Sequence, residues 1–188
     1  MRRTHLLLTL MPAAMLACYS PDTFQGDGHL RDSGWCAYRP RFVITFPKIL
    51  VNELRDHVYS FSGPPSAPLT LHLNVLSDRP EHAYSNSEWE EAWESLERAG
   101  TRVEVELTDA DGRVACRAAA PLAGGWTPAG VGVPNSTDMS MNFWHSDCRD
   151  VRLRTREQYR LRVSARSDGT APAITLVPSL EGGGRDAS

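Results

Sequence analysis

PLTLHLNVL, residues 68–76, decides the fold class. Leu69, Leu71, Leu73 and Val75 fall on one side of an extended chain, and Thr70, His72 and Asn74 fall on the other. A period of two belongs to a strand, because successive side chains there point to opposite faces; a helix would need the apolar residues three and four apart. A strand with one apolar and one polar side suits an antiparallel sheet that packs one face and leaves the other in water. The same alternation recurs in RFVITF (41–46), HVYSFSG (57–63), RVEVEL (102–107), RVACRAA (113–119), DVRLRT (150–155), QYRLRVSA (158–165) and AITLVP (173–178). About eight short strands predict a mostly-β, antiparallel sandwich over residues 40–180, and immunoglobulin-like, jelly-roll and transthyretin-like arrangements all fit the pattern.

Two hairpins are legible. VEVELTDADGRVAC (103–116) sets Asp109-Ala110-Asp111-Gly112 between alternating runs, with Gly112 free to take the positive φ of a tight turn. Its Asp-x-Asp-Gly opens like a calcium loop, but Val114, Ala115 and Cys116 stand where later ligands belong, so it reads as a turn. VRLRTREQYRLRVSAR (151–166) predicts a second hairpin turning near Arg156-Glu157. One helical insertion, about 87–99, interrupts the strands in SNSEWEEAWESLERAG (85–100). Ser87 reads as its N-cap, with Glu90 three residues on, and Gly100 as its stop. Trp89, Ala92, Trp93 and Leu96 form an apolar stripe, and the opposite side is acidic.

The first residues are of a different kind. Arg2 and Arg3 precede an apolar run from Leu6 to Ala17, too short to span a bilayer as a helix but suited to a secretory signal over residues 1–17. Its end, Met15-Leu16-Ala17-Cys18, resembles the lipobox of bacterial lipoproteins. Leu16 stands where small residues are commoner. The resemblance implies cleavage before Cys18, a lipidated Cys18 and a membrane anchor. Tyr19 after the cysteine, in place of Asp, implies the outer membrane, with the protein facing the periplasm. Residues 18–39, polar and dotted with glycine, then read as the lipidated cysteine and its tether, and 181–188 as a flexible tail.

The 188 residues less the 17 of the leader leave 171, enough for one domain with a substantial core. The leader carries two arginines and no acid, so the formal net charge moves from −3 to −5 on processing, which argues against a general nucleic-acid binder. With Cys18 acylated, Cys36, Cys116 and Cys148 remain in an oxidising compartment, which implies one disulfide and one free thiol. Cys116 with Cys148 is the favoured pair. Cys36 is a credible partner for either.

Signatures of chemistry are sparse. The sequence has no G-x-S-x-G, no H-E-x-x-H and no G-x-x-x-x-G-K, no C-x-x-C or Cys/His spacing for a metal, and scattered histidines. The expectation is a non-catalytic protein without cofactor or metal. Three surfaces carry a functional reading. Arg152, Arg154, Arg160 and Arg162 alternate with apolar residues and predict a four-arginine patch on one sheet face, suited to an acidic partner or simply solvated. The acidic helix face could enter a basic cleft. PLAGGWTPAGVGVPNSTDMSMNFWHSDC (121–148) is a long connection carrying Trp126, Phe143 and Trp144, residue types enriched at binding hot spots, while Met139, Met141 and Phe143 also alternate as a core strand would. A protein partner in the periplasm is the reading these features favour. One alternative is an immunity or inhibitor lipoprotein that neutralises a secreted cell-wall-degrading toxin. Another is a carbohydrate or peptidoglycan binder with Trp126 and Trp144 as stacking platforms.

The lipobox reading has a direct test. Cys18→Ser is expected to abolish acyl-chain labelling and to move the protein from the membrane to the soluble fraction; unchanged labelling would refute it.

Overall fold

A computed structural model of the chain describes residues 23–32, 42–53, 55–66, 68–76, 86–122, 127–128, 138–142, 148–149, 151–170 and 174–182. Within them the alternating segments become antiparallel strands in two sheets. The first sheet contains β1 (Gln25–Gly26), β5 (Asp56–Ser62), β7 (Arg102–Asp109), β8 (Val114–Pro121) and β12 (Gln158–Arg166), in the spatial order β1-β5-β12-β7-β8. The second contains β2 (His29–Asp32), β3 (Phe42–Thr45), β4 (Ile49–Leu50), β6 (Pro68–Leu76), β9 (Thr127–Pro128), β10 (Asp138–Asn142), β11 (Val151–Arg152) and β13 (Thr175–Gly182). Its main order is β2-β3-β13-β6-β10-β9, with β4 on β13 and β11 on β6.

The inward faces are the apolar sides of the alternation. Leu69, Leu71 and Leu73 of β6 are fully buried, and so are Val103, Val105 and Leu107 of β7 and Leu161 and Val163 of β12; all belong to one core between the sheets. Four aromatic rings bridge that core near one end. Phe46, just past β3, lies 5.3 Å from both Tyr59 and Phe61 of β5, and Phe61 lies 5.7 Å from Tyr159. Tyr59 donates its hydroxyl hydrogen to the Pro47 carbonyl at 2.9 Å, and burial pushes its pKa up to about 12, which keeps that donor in place.

The 103–116 hairpin forms as expected. The Asp109 carboxylate accepts hydrogen bonds from the backbone N–H of Asp111 (3.0 Å) and Arg113 (2.8 Å), and Gly112 takes φ 79°. A bulge follows, because Leu107 pairs with Cys116 and Thr108 with Val114, leaving Ala115 as the extra residue. The helix α1 spans Asn86–Arg98, so Ser87 lies inside its first turn and is not its cap. Its stop is at Gly100, φ 60°, where Gly100 N–H donates to the Glu97 carbonyl and Thr101 N–H to the Leu96 carbonyl, the paired bonds of a Schellman ending. Leu96 is fully buried, while Glu90, Glu91, Glu94 and Glu97 are exposed. The Trp89 and Trp93 side chains lie outside the described residues.

Three expectations need correction. The 151–166 hairpin does not form: Val151 and Arg152 pair with Leu69 and Pro68 of the second sheet, while β12 lies between β5 and β7 of the first. The turn region instead crosses the sandwich, held by Arg154 N–H donating to the Tyr159 hydroxyl at 2.7 Å. The stretch read as a tether is structured from Thr23 to Asp32 and supplies β1 to one sheet and β2 to the other, with Gly26 (φ 113°) and Gly28 (φ 121°) making the corner. Nor is the outer side of the second sheet simply wetted. Ser179 there is fully buried, and Thr70, His72 and Asn74 are half-buried.

Cys116 of β8 is bonded to Cys148, with Cα atoms 5.0 Å apart, which joins the first sheet to the segment leading into β11 of the second. The pairing closes a loop with a sequence separation of 32. Cys18 and Cys36 lie outside the described residues. Replacing both Cys116 and Cys148 by Ser is expected to lower stability by about 2–4 kcal/mol, chiefly by freeing the unfolded chain, read as a shift in urea midpoint.

Candidate binding surface

β12 is central in its sheet, so its outward residues meet neighbours on both sides, and register decides what each arginine faces. Arg162 stands opposite Val58 on β5 and Glu106 on β7. Its guanidinium lies 3.6 Å from carboxylate oxygens of Asp56, Glu104 and Glu106. Arg117 on β8 donates to Glu104 at 2.6 Å and lies 3.6 Å from Glu106. These charges form a ladder across four strands in which every cation is shared by carboxylates, so this part of the face offers little net field.

One step along β12 the setting changes. Arg160 stands opposite Ser60 on β5 and Thr108 on β7, neither of which is charged. Its side chain is exposed and makes no ion pair among the described residues. It lies in a groove of about 470 Å³ shared with Gln25, Ser60, Ser62, Thr108 and Gln158, and with Asp109, whose carboxylate is held by the turn's own backbone N–H groups. Amides and hydroxyls both donate and accept hydrogen bonds, and Arg160 adds five N–H donors in a fixed fork. The groove thus sets one planar cation beside neutral donors and acceptors and one carboxylate.

The expected four-arginine patch is thus divided. Arg152 belongs to the other sheet, and Arg154 lies in the crossing segment, bonded at 2.9 Å to Glu157. Glu157 also accepts from the Tyr159 hydroxyl at 3.1 Å. Only Arg160 and Arg162 share a sheet face, and of these only Arg160 keeps its charge available. Trp126, Phe143 and Trp144 lie outside the described residues. The run that precedes Phe143 and Trp144 does form β10, paired through Met139 to Val75 and Met141 to Leu73. Alternation gave no sign of Gln25, Ser60, Ser62, Thr108 or Gln158, because their convergence on Arg160 depends on pairing register.

A second polar cluster lies on the outer side of the second sheet. Ser179 is opposite His72, and the His72 Nε2 is 4.0 Å from Glu181 Oε2. With Ser179 wholly buried, no reacting group reaches its hydroxyl, and the cluster is not an open hydrolytic site. The turn at Asp109–Gly112 holds its first carboxylate on backbone N–H groups, and no cluster of metal-binding side chains occurs among the described residues. No protein-family model and no curated protein matches this chain.

The ladder has a pH signature. The hydrogen bond from Arg117 holds the Glu104 carboxyl below its ordinary value, so its contribution is present above the unfolded pKa and lost as pH falls through the lowered folded one. Arg117→Ala is expected to raise the Glu104 pKa toward the ordinary carboxylate range. It should also make the loss of stability as pH falls below the ordinary carboxylate range shallower, read by NMR titration and urea midpoints.

Proposed function

We propose that this chain is a lipid-anchored protein of the cell envelope, held by Cys18 at the outer membrane and facing the periplasm. There it acts as a non-catalytic module that binds a protein partner through the outer face of the five-stranded sheet. The observation that carries the reading is the groove at Arg160: an exposed guanidinium with no ion pair among the described residues, set among hydrogen-bonding side chains and Asp109, beside a ladder in which Arg117 and Arg162 are shared by carboxylates. Sandwiches of immunoglobulin-like, jelly-roll or transthyretin-like topology host many unrelated activities, so the reading rests on this surface and not on the fold.

The lipobox-like Met15–Cys18 supports the anchor, and the negative net charge supports a protein partner over nucleic acid. A binding surface near β12 also sits on the central strand of the sheet, where partner groups meet positions fixed by the core beneath.

A photo-crosslinking amino acid in place of Ser62, inside the groove, is expected to capture one discrete envelope protein. The same label in place of Ala119, across the ladder on β8, should capture none. Adding Arg160→Glu should cut capture at position 62 several-fold while leaving the urea midpoint unchanged. Equal labelling from both positions would refute the reading. Peptidoglycan fragments captured in place of a protein would turn it toward carbohydrate binding.

A further inference from the structure

The edge of the five-stranded sheet beside the groove is only half covered. β1 pairs Gln25 with Ser62 and Gly26 with Phe61. Asp27 then completes the cover at Ser60, its N–H donating to the Ser60 carbonyl at 2.7 Å and its carboxylate accepting from the Ser60 N–H at 2.8 Å. At Gly28 the chain leaves for the other sheet. Backbone groups of a strand alternate in direction, so Val58 and Asp56 point their N–H and C=O to the same side as Ser60, the side away from β12. No described strand pairs with them there. Val58 is 49% exposed, and the Asp56 side chain is 46% exposed.

Natural sheets blunt such edges with lysine, proline, bulges or a covering segment. The run Asp56-His57-Val58-Tyr59 has no lysine, proline or bulge. At the opposite edge, by contrast, β8 carries a bulge and is bonded through Cys116 to Cys148. Two carboxylates, Asp56 and Asp27, bracket the free stretch. Of the neighbouring arginines, Arg55 is paired with Glu53 at 2.7 Å, and Arg162 lies 3.6 Å from Asp56 but is shared with Glu104 and Glu106 at the same distance, so Asp56 is only partly neutralised.

We propose that the free half of β5, Asp56–Tyr59, accepts an extended segment of a partner protein as an added strand, with an apolar residue beside Val58 and basic residues flanking it toward Asp56 and Asp27. Main-chain hydrogen bonds to Val58 and Asp56 give affinity, and the alternate side chains on the outer face give selectivity. The proposal rests on the reading of the chain as a protein-binding module and names how the partner engages. The incoming strand extends the sheet past β5 next to the groove, so one partner can fill both.

The probe is a capped peptide, Lys-Thr-Val-Thr-Lys, with Glu-Thr-Val-Thr-Glu as its control, added to isotope-labelled protein. The basic peptide is expected to slow amide exchange at Val58 and Asp56 and to bind at least about tenfold more tightly than the acidic one, a difference near 1.4 kcal/mol. Val58→Pro removes the outward N–H and should abolish protection at this edge. Val58→Lys, which keeps the backbone intact, should weaken binding with no change in urea midpoint, and Asp56→Lys should favour the acidic peptide. Protection elsewhere, binding indifferent to Val58→Lys, no binding at millimolar peptide, or dimerisation of the protein through this edge would each overturn the proposal. Capture from position 62 that survives Val58→Lys would leave the groove reading standing while the edge reading falls. Absence of capture from position 62 in the unaltered protein would remove the groove reading itself.

Discussion

Phe61 is the side chain on which the arrangement of the two sheets turns. It points inward from β5 and contacts three rings: Phe46 at 5.3 Å from the second sheet, Tyr159 at 5.7 Å from the neighbouring strand, and Phe24 at 6.1 Å from the segment before β1. Each such pair is worth about 0.5–1.5 kcal/mol beyond the area it buries. More important is what the contacts connect. Phe46 leads from β3 toward β4, Tyr159 lies at the start of β12, and Phe24 brings in the N-terminal corner, so one ring gathers three stretches distant in sequence, two of which cross between sheets. Tyr159 extends the network, because its hydroxyl meets Arg154 and Glu157 in the crossing segment. The connections here run between sheets more often than within one, and the aromatic cluster packs one of the two ends at which they do so.

What the sequence made legible follows from what period two can encode. It identifies which segments are strands and which side of each is apolar, and Leu69, Leu71, Leu73, Leu161 and Val163 all lie inside as their spacing requires. Local chemistry was equally readable at the Asp109–Gly112 turn and the Gly100 helix stop, where one side chain or one φ value does the specifying. Partner choice is not encoded in alternation. VRLR followed by TREQYRLRV has the same pattern whether its two halves pair or cross the sandwich, and what separates the two cases is tertiary, the pairing of Val151 and Arg152 with β6 and of β12 with β5 and β7. Gly26 and Gly28 were read as flexibility for a related reason: short strands of two and four residues carry too little periodicity to be seen.

The same limit explains the surface. Arg160 and Arg162 are two residues apart on one strand, with the same exposure expected from alternation, and their electrostatic situations are opposite. Arg162 lies among Asp56, Glu104 and Glu106, whereas Arg160 faces Ser60 and Thr108. Shifting β7 by two residues would set Glu106 opposite Arg160 without changing which side chains are buried. Charge on a sheet face is therefore a property of registers, and register here is fixed by the core that Phe61, Leu161 and their neighbours build.

The corner at Gly26–Gly28 joins the two features of this face. A side chain at Gly26 would run into the Ser60 carbonyl oxygen, so only glycine lets β1 approach β5 closely enough for Gln25 to wall the groove. At Gly28, with φ 121°, the chain turns away after covering the edge only as far as Ser60. A longer β1 would seal the edge at Val58, and a bulkier corner would open the groove at Gln25. Two closely spaced glycines thus leave, among the described residues, a polar groove and an unpaired strand edge side by side, the geometry on which the proposed strand addition rests.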